Sequence, residues 1–336
     1  MDVSPPNVPQ PGPQPTPDYG TLGPGSDIAP GGAVAPQKSA GSPKKSVRLG
    51  PFISIAVGVL TAVLVGNVGS ARAAWRHLVA DLFSLGGPSE MKVPLSPAGD
   101  IAHLDRLKPQ KQAETLLELA VGNSDGAVDQ ISSRVDHWRG RVRWNPQLAS
   151  LTTAALNSND LRVRGSGIEV ELVAYGLSKN PSSIDELSQD ANSPDHARKI
   201  WALWSLGALA NRGVETERAV ELLTAHLKDS DEDSRRWTVE GLALVGTGET
   251  IAPLLRAMHD DSSALVRERA ACSVAESGML THEQRLTAVP QLLSYSDDPA
   301  LDAQTHAWAF QALGDITGQR LGNDSAAWRN WYENSR

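Results

Sequence analysis

From Asp160 to its end the chain repeats itself. The segments "DLRVRGSGIEVELVAYGL", "DHARKIWALWSLGALA", "DEDSRRWTVEGLALVG", "SALVRERAACSVAESG" and "ALDAQTHAWAFQALGD" stack on one another, with Arg164, Arg198, Arg235, Arg267 and Gln304 aligned at intervals of 34, 37, 32 and 37 residues. A period of that length suits a unit of two helices, which cannot bury both faces alone and must lean on its neighbours. Each unit opens on an Asp-, Ser- or Asn-rich turn able to cap a helix. It then carries a basic residue, an Ala/Leu/Val/Trp face and a closing small residue. Second helices follow in "SSIDELSQDA", "ETERAVELLTAHLKD", "GETIAPLLRAMHDD" and "THEQRLTAVPQLLSYSDD". No strand-like alternation of useful length interrupts the pattern, and with only three Phe and four Tyr the composition also favours packed helices. The expected fold class is all-α.

The spacing Asp160/Arg164 and Asp231/Arg235, loosened to Asp195/Arg198 and followed by runs such as "WALWSLGAL" and "GLALVG", resembles the short bacterial form of HEAT repeats. The resemblance covers roughly residues 108 to 322 and implies a right-handed α-solenoid. The fourth unit departs from it with Ser263 in place of the acid, and the fifth with Gln304 in place of Arg. "DITGQRLGNDSAAWRNWYENSR" is similar to the terminal segment of HEAT-repeat proteins of environmental bacteria. Asp324 there would cap a last helix whose Trp328 and Trp331 close the open end of the stack. At the other end, "KPQKQAETLLELAV" and "DGAVDQISSRVDHW" read as two capping helices, so the folded domain is expected over 108–336.

The remainder of the chain is different in kind. Residues 1–48 hold half of the chain's prolines, as in "PPNVPQPGPQPTP", and almost no large apolar side chains, which predicts a disordered tail of polyproline II character. "PNVP" in that tail offers the spacing read by proline-recognising domains. Residues 49–71 contain no charge; as a helix they would reach roughly 34 Å, enough to cross a hydrocarbon core of about 30 Å. Lys38, Lys44, Lys45 and Arg48 precede this stretch and Arg72 and Arg76 follow it. The positive-inside bias therefore places the tail in the cytoplasm and the repeats across an inner membrane, in the periplasm. Two rival readings are a signal cleaved at Ala71–Ala73 and a buried soluble helix. Residues 72–107 read as a juxtamembrane helix, "AAWRHLVADLF", and a linker.

The net charge is -8, and residues 1–50 carry four basic against three acidic side chains, so the acidity belongs to the repeats. That balance argues against nucleic-acid binding, which draws its affinity from neutralising phosphates. The single cysteine, Cys272, excludes an internal disulfide and reads as a small core residue. No GxSxG, HExxH, Walker-type loop or GxGxxG after a strand is present, and no cofactor is expected. His259-Asp260-Asp261 reads as a capping turn before a metal site, and Thr281-His282 with Gln284 as a capping box before a catalytic histidine.

Two groups remain as candidate partner-binding residues. The segment "RVDHWRGRVRWNP" gathers Arg139, Arg141 and Arg143 beside Trp144. Guanidinium forks there could hold an anion and the indole a sugar ring, or the Trp side chains could enter the core while the Arg stems lie along it. Arg198, Arg235 and Arg267 could line a groove or pair with acids between repeats. The expected function is a non-enzymatic, membrane-anchored scaffold binding a protein partner. The alternative is binding of an envelope polymer, peptidoglycan or an acidic polysaccharide. A lyase or DNA-base glycosylase, as found among some relatives of the fold, is the third reading.

Overall fold

The computed structural model describes residues 103–335; the tail 1–48, the apolar stretch 49–71 and the linker up to residue 102 lie outside them. Among the described residues there are fourteen α-helices and no strand. No helix among them is long and apolar enough to cross a membrane.

Four helices come first: α1 (Pro109–Val121), α2 (Ala127–Trp138), α3 (Pro146–Leu156) and α4 (Leu161–Ala174). They bury a core of their own around Leu116, Leu117, Ile131, Trp138, Leu148 and Val170, with α1 against α2 and α3, and α4 against α2 and α3. This core begins earlier than the sequence suggests. Leu104 is buried, its carbonyl and that of Leu107 accept from Gln112 Nε2, and Asp105 pairs with Arg134 at 2.8 Å, so the end of the expected linker is part of the fold.

A second core gathers α5 (Pro181–Asp190), α6 (His196–Asn211), α7 (Thr216–His226), α8 (Glu232–Val245), α9 (Ile251–Asp260), α10 (Ala264–Cys272), α11 (His282–Leu286), α12 (Val289–Tyr295), α13 (Ala303–Thr317) and α14 (Ser325–Asn334). The first helices of successive units, α6, α8, α10 and α13, lie side by side, each packed on second helices. Their caps are those read from the turns: Asp195, Asp231, Ser263 and Asp302 each accept from a backbone N–H of the first turn. Ser263 does the work of the missing acid. Counting from each cap, positions seven, ten and eleven residues on are buried in all four helices, which is one face of a 3.6-residue period.

The closest seam is between α6 and α8. Gly207 and Gly241 meet there; a Cβ on Gly207 would lie 2.6 Å from the Gly241 carbonyl carbon and 2.7 Å from its Cα. Only α-carbons without a Cβ permit that approach. At the far end Asp324 caps α14, Trp328 is buried against the core, its indole donates to the Gly322 carbonyl at 2.8 Å, and Trp331 meets it edge-on. Thr281 and Gln284 form the expected capping box. Cys272 departs from expectation. It stands nine residues past its cap, on the solvent side of α10, and is partly exposed because the buried stripe falls on Ala270, Ala271 and Ser273 instead.

Helix α4 also departs from the repeat read in the sequence. Its first half lies against the end of α6, where Arg212 reaches Gly165 and pairs with Glu169, and its last residues lead to Tyr175, beside Trp201 and Trp204 in the first half of α6. It therefore runs opposite to α6, whereas successive first helices from α6 onward run alike. The unit containing Arg164 closes the four-helix group and does not begin the parallel stack. Apolar pattern and cap are the same in both cases, and neither encodes direction relative to a neighbour.

Glu171 on α4 is buried with Thr152 beside it, and its Oε2 has no hydrogen-bond donor. Burial pushes its carboxyl up from 4.5 to about 7, with the Thr152 hydroxyl opposing only part of that rise. The folded chain thus holds a proton that the unfolded chain releases. Stability from this group is complete below about pH 4.5 and is lost as pH rises through about 7. Glu171→Gln is expected to match the parent at pH 4 and to exceed it by about 2 to 3 kcal/mol at pH 8. Urea midpoints of both chains at the two pH values test this; a difference independent of pH refutes it.

Candidate functional site

The basic series is committed to holding repeats together. Four residues past each cap stands a cation: Arg164, Lys199, Arg235 and Arg267, with His306 in the last unit. Arg164, Arg235 and Arg267 each donate to the carbonyl two residues before their own cap, at Ser158, Asp229 and Asp261. Most then reach an acid of the next turn. Lys199 meets Asp229 at 3.0 Å, Arg235 takes Asp261 with both Nε and Nη2 at 2.8 and 3.0 Å, and Arg267 meets Asp302 at 2.6 Å. His306 binds the Asp298 carbonyl.

Lys199, rather than Arg198, holds the ladder position of the second unit. Arg198 is three residues past Asp195, about 100° away around the helix; its side chain is 55% exposed and lies 3.7 Å from Asp190. Gln304 is likewise two residues past its cap and exposed, with His306 in its place. Matching Arg with Arg in the sequence hid this register; matching cap with cap reveals it.

The same register exposes a row that sequence reasoning missed. Six residues past the cap stand Trp201, Trp237, Arg269 and Trp308, all partly exposed at the edge of the buried stripe, with the three tryptophans packed in part against the core. Arg236 lies over the Trp237 ring at 5.1 Å, and Arg269 pairs with Glu240 of the preceding unit. Large aromatic side chains, each with part of its surface open to solvent, thus recur at one helical position.

The Arg/Trp connection between α2 and α3 divides its residues between core and surface. Trp138 is buried and its indole donates to Gln112 Oε1 at 2.9 Å. Gly140 turns the chain at φ 69°, Val142 is buried, and Arg141 and Arg143 on either side of it are exposed. Gln110 holds the Arg143 amide, and Asn145 caps α3 while donating to Glu114. Arg139 is tied to Ser178 Oγ at 2.6 Å and lies 3.7 Å from Asp136. Arg141 and Arg143 make no ion pair or side-chain hydrogen bond among the described residues.

Beside them Trp144 stacks on Tyr175 with ring centres 4.9 Å apart and planes 19° from parallel. Tyr175 meets Trp201 and Trp204 edge-on, each at 6.2 Å. This four-ring cluster joins three segments that are far apart in sequence. Only Trp144 of the four was a sequence candidate.

Of the histidine turn, Asp261 serves Arg235 and the Ser263 amide, while His259 lies between Asp260 and Asp298 at 2.5 and 3.2 Å. Burial opposes its charge, but the two carboxylates raise its pKa overall. Among the described residues no group of three or more His, Cys, Asp or Glu is placed to hold a metal ion.

With this geometry in place the chain can be set beside known proteins. Residues 184–275 match the family of HEAT repeats. The matched span runs from within α5 to the π-helical turn Ser273–Ser277 that follows α10, the stretch in which first helices run alike. It is narrower than the resemblance seen in the sequence, and α1 to α4, with their separate core, lie outside it. Among solved structures, an engineered protein crystallised by the Northeast Structural Genomics Consortium is 17% identical, over 62% of this chain and 90% of that one, with a TM-score of 0.29. No curated protein matches.

Proposed function

We propose that the chain is a non-enzymatic HEAT-repeat scaffold, held in the inner membrane by residues 49–71 with its tail in the cytoplasm and its helices in the periplasm, that binds a protein partner. The observation that carries this reading is the row Trp201, Trp237, Arg269 and Trp308, one partly exposed register position at the edge of the core repeated across four units. Aromatic and arginine side chains dominate the energetic centres of protein interfaces, and a regular array presents them at fixed intervals. The ladder cations Arg235 and Arg267 support that array and do not contribute the contact face.

A photoreactive residue at position 237 or 308, introduced in cells, should crosslink to a species of the same mass from both positions. The exposed Glu221 position on α7 should give none. Equal crosslinking from all three positions, or none from the row, overturns the proposal. Protease applied from the periplasmic side should remove a C-terminal tag; removal only from the cytoplasmic side overturns the orientation.

A further inference from the structure

We propose that the corner formed by Arg141, Arg143, Trp144, Tyr175 and Trp204 is a second binding site, for an acidic polysaccharide whose sugar rings bear carboxylates. It adjoins the Trp201 end of the protein-binding row, which Tyr175 meets edge-on, and its test does not depend on that reading.

The buried tryptophans are satisfied: Trp138 donates to Gln112 and Trp328 to Gly322. The indoles of Trp144, Trp201 and Trp204 donate to no acceptor among the described residues, yet none of the three nitrogens is sealed from solvent. Arg141 and Arg143 are in the same condition. The corner is a patch of unspent donors set among aromatic faces. An indole nitrogen has no acceptor capacity and a guanidinium has none either, so the ligand must supply the acceptors.

Charge narrows the ligand further. The fold is acidic, but the acids near this corner are already engaged: Glu169 with Lys179 at 3.0 Å and with Arg212, and Asp136 with Arg139. What is left facing solvent is the positive charge of Arg141 and Arg143, complementary to carboxylates. The stacked Trp144–Tyr175 pair, whose Trp144 packs in part on the four-helix core, adds partly exposed aromatic surface. An acidic peptide has no use for it, whereas the C–H face of a sugar ring lies flat on an indole. Alternating rings and carboxylates along a uronic-acid polymer meet both features at once. The platform is also preformed: Val142, Gln110 and Asn145 fix the connection, so little ordering entropy opposes binding.

The test uses the purified full-length chain with polygalacturonate as probe, dextran as the uncharged polysaccharide and poly-glutamate as the ringless polyanion, followed by calorimetry and tryptophan fluorescence. Polygalacturonate is expected to bind with a change in tryptophan emission and an affinity that falls with added salt. Dextran and poly-glutamate should each bind at least about tenfold more weakly. Arg141→Gln/Arg143→Gln, at two exposed positions, should keep the helical circular dichroism and lose about tenfold or more in affinity, while Trp144→Leu should abolish most of the emission change. Poly-glutamate binding as tightly as polygalacturonate would overturn the polysaccharide assignment and give the corner to an acidic protein segment. Absence of polygalacturonate binding, or binding indifferent to the double arginine variant, would remove the site altogether. None of these results bears on crosslinking from positions 237 and 308.

Discussion

Gly207→Ala is expected to be among the most damaging single-methyl additions available in this chain. The new Cβ would enter the Gly241 backbone on the neighbouring helix, with the carbonyl carbon 2.6 Å away, and backbone cannot rotate aside as a flexible side chain would. Relief requires α6 and α8 to separate, which opens the tightest seam of the stack and the core around Leu203, Leu223 and Leu242. We expect a loss of about 3 kcal/mol or more and a fall in Tm of roughly 6 to 12 °C. Gly213→Ala, at a surface turn with open space around its Cβ but φ 78°, is the comparison that separates crowding from lost backbone freedom. It should cost about 1 to 2 kcal/mol. Equal losses at the two positions would mean that the seam is softer than its geometry.

The second large effect is expected at the bridge between the third and fourth units. Asp261 is 5% exposed and Arg235 12%, and two parallel N–H donors meet the two carboxylate oxygens. Asp261→Ala leaves a buried guanidinium without its anion and a Ser263 amide without its acceptor, at a cost of about 3 to 5 kcal/mol. Removing both charges, as Arg235→Met/Asp261→Ala, should recover a large part of that loss, because the penalty lies mainly in the orphaned charge. Chemical denaturation of these two variants and of Arg235→Met closes the cycle; a double variant no better than Asp261→Ala alone would assign the loss to the Ser263 turn.

How far the sequence alone leads depends on which property is asked of it. Helices, caps and stacking follow from period and turn chemistry, and Asp195, Asp231, Asp302 and Asp324 do what their positions imply. Register is subtler. Arg198 and Lys199 are adjacent, both basic, and only the fixed offset from the cap tells which one faces Asp229. Direction is beyond local pattern, since the apolar face of α4 would serve equally well in either orientation against α6. The aromatic corner is harder still, because Trp144, Tyr175 and Trp201 come from three separate segments that the reversal of α4 brings together. Cap-aligned counting would have found the Trp201/Trp237/Trp308 row; nothing short of the fold places Trp144 next to it.

The reversal of α4 has a further effect on how such a chain can change length. Arg164, buried in that helix, donates through Nη1 to the carbonyls of Glu276 and Gly278 at 2.8 and 2.6 Å, more than a hundred residues away. An ordinary array gains or loses a unit by duplication at modest cost, since each unit knows only its neighbours. Here one more unit inserted between α6 and the Gly278 turn would carry those carbonyls about 8 to 10 Å out of reach, one helix spacing. The guanidinium would lose both acceptors at once. Arg164 therefore works as a gauge: a duplication beyond the Gly278 turn would leave its two bonds in place, while one inside the span it closes would break both.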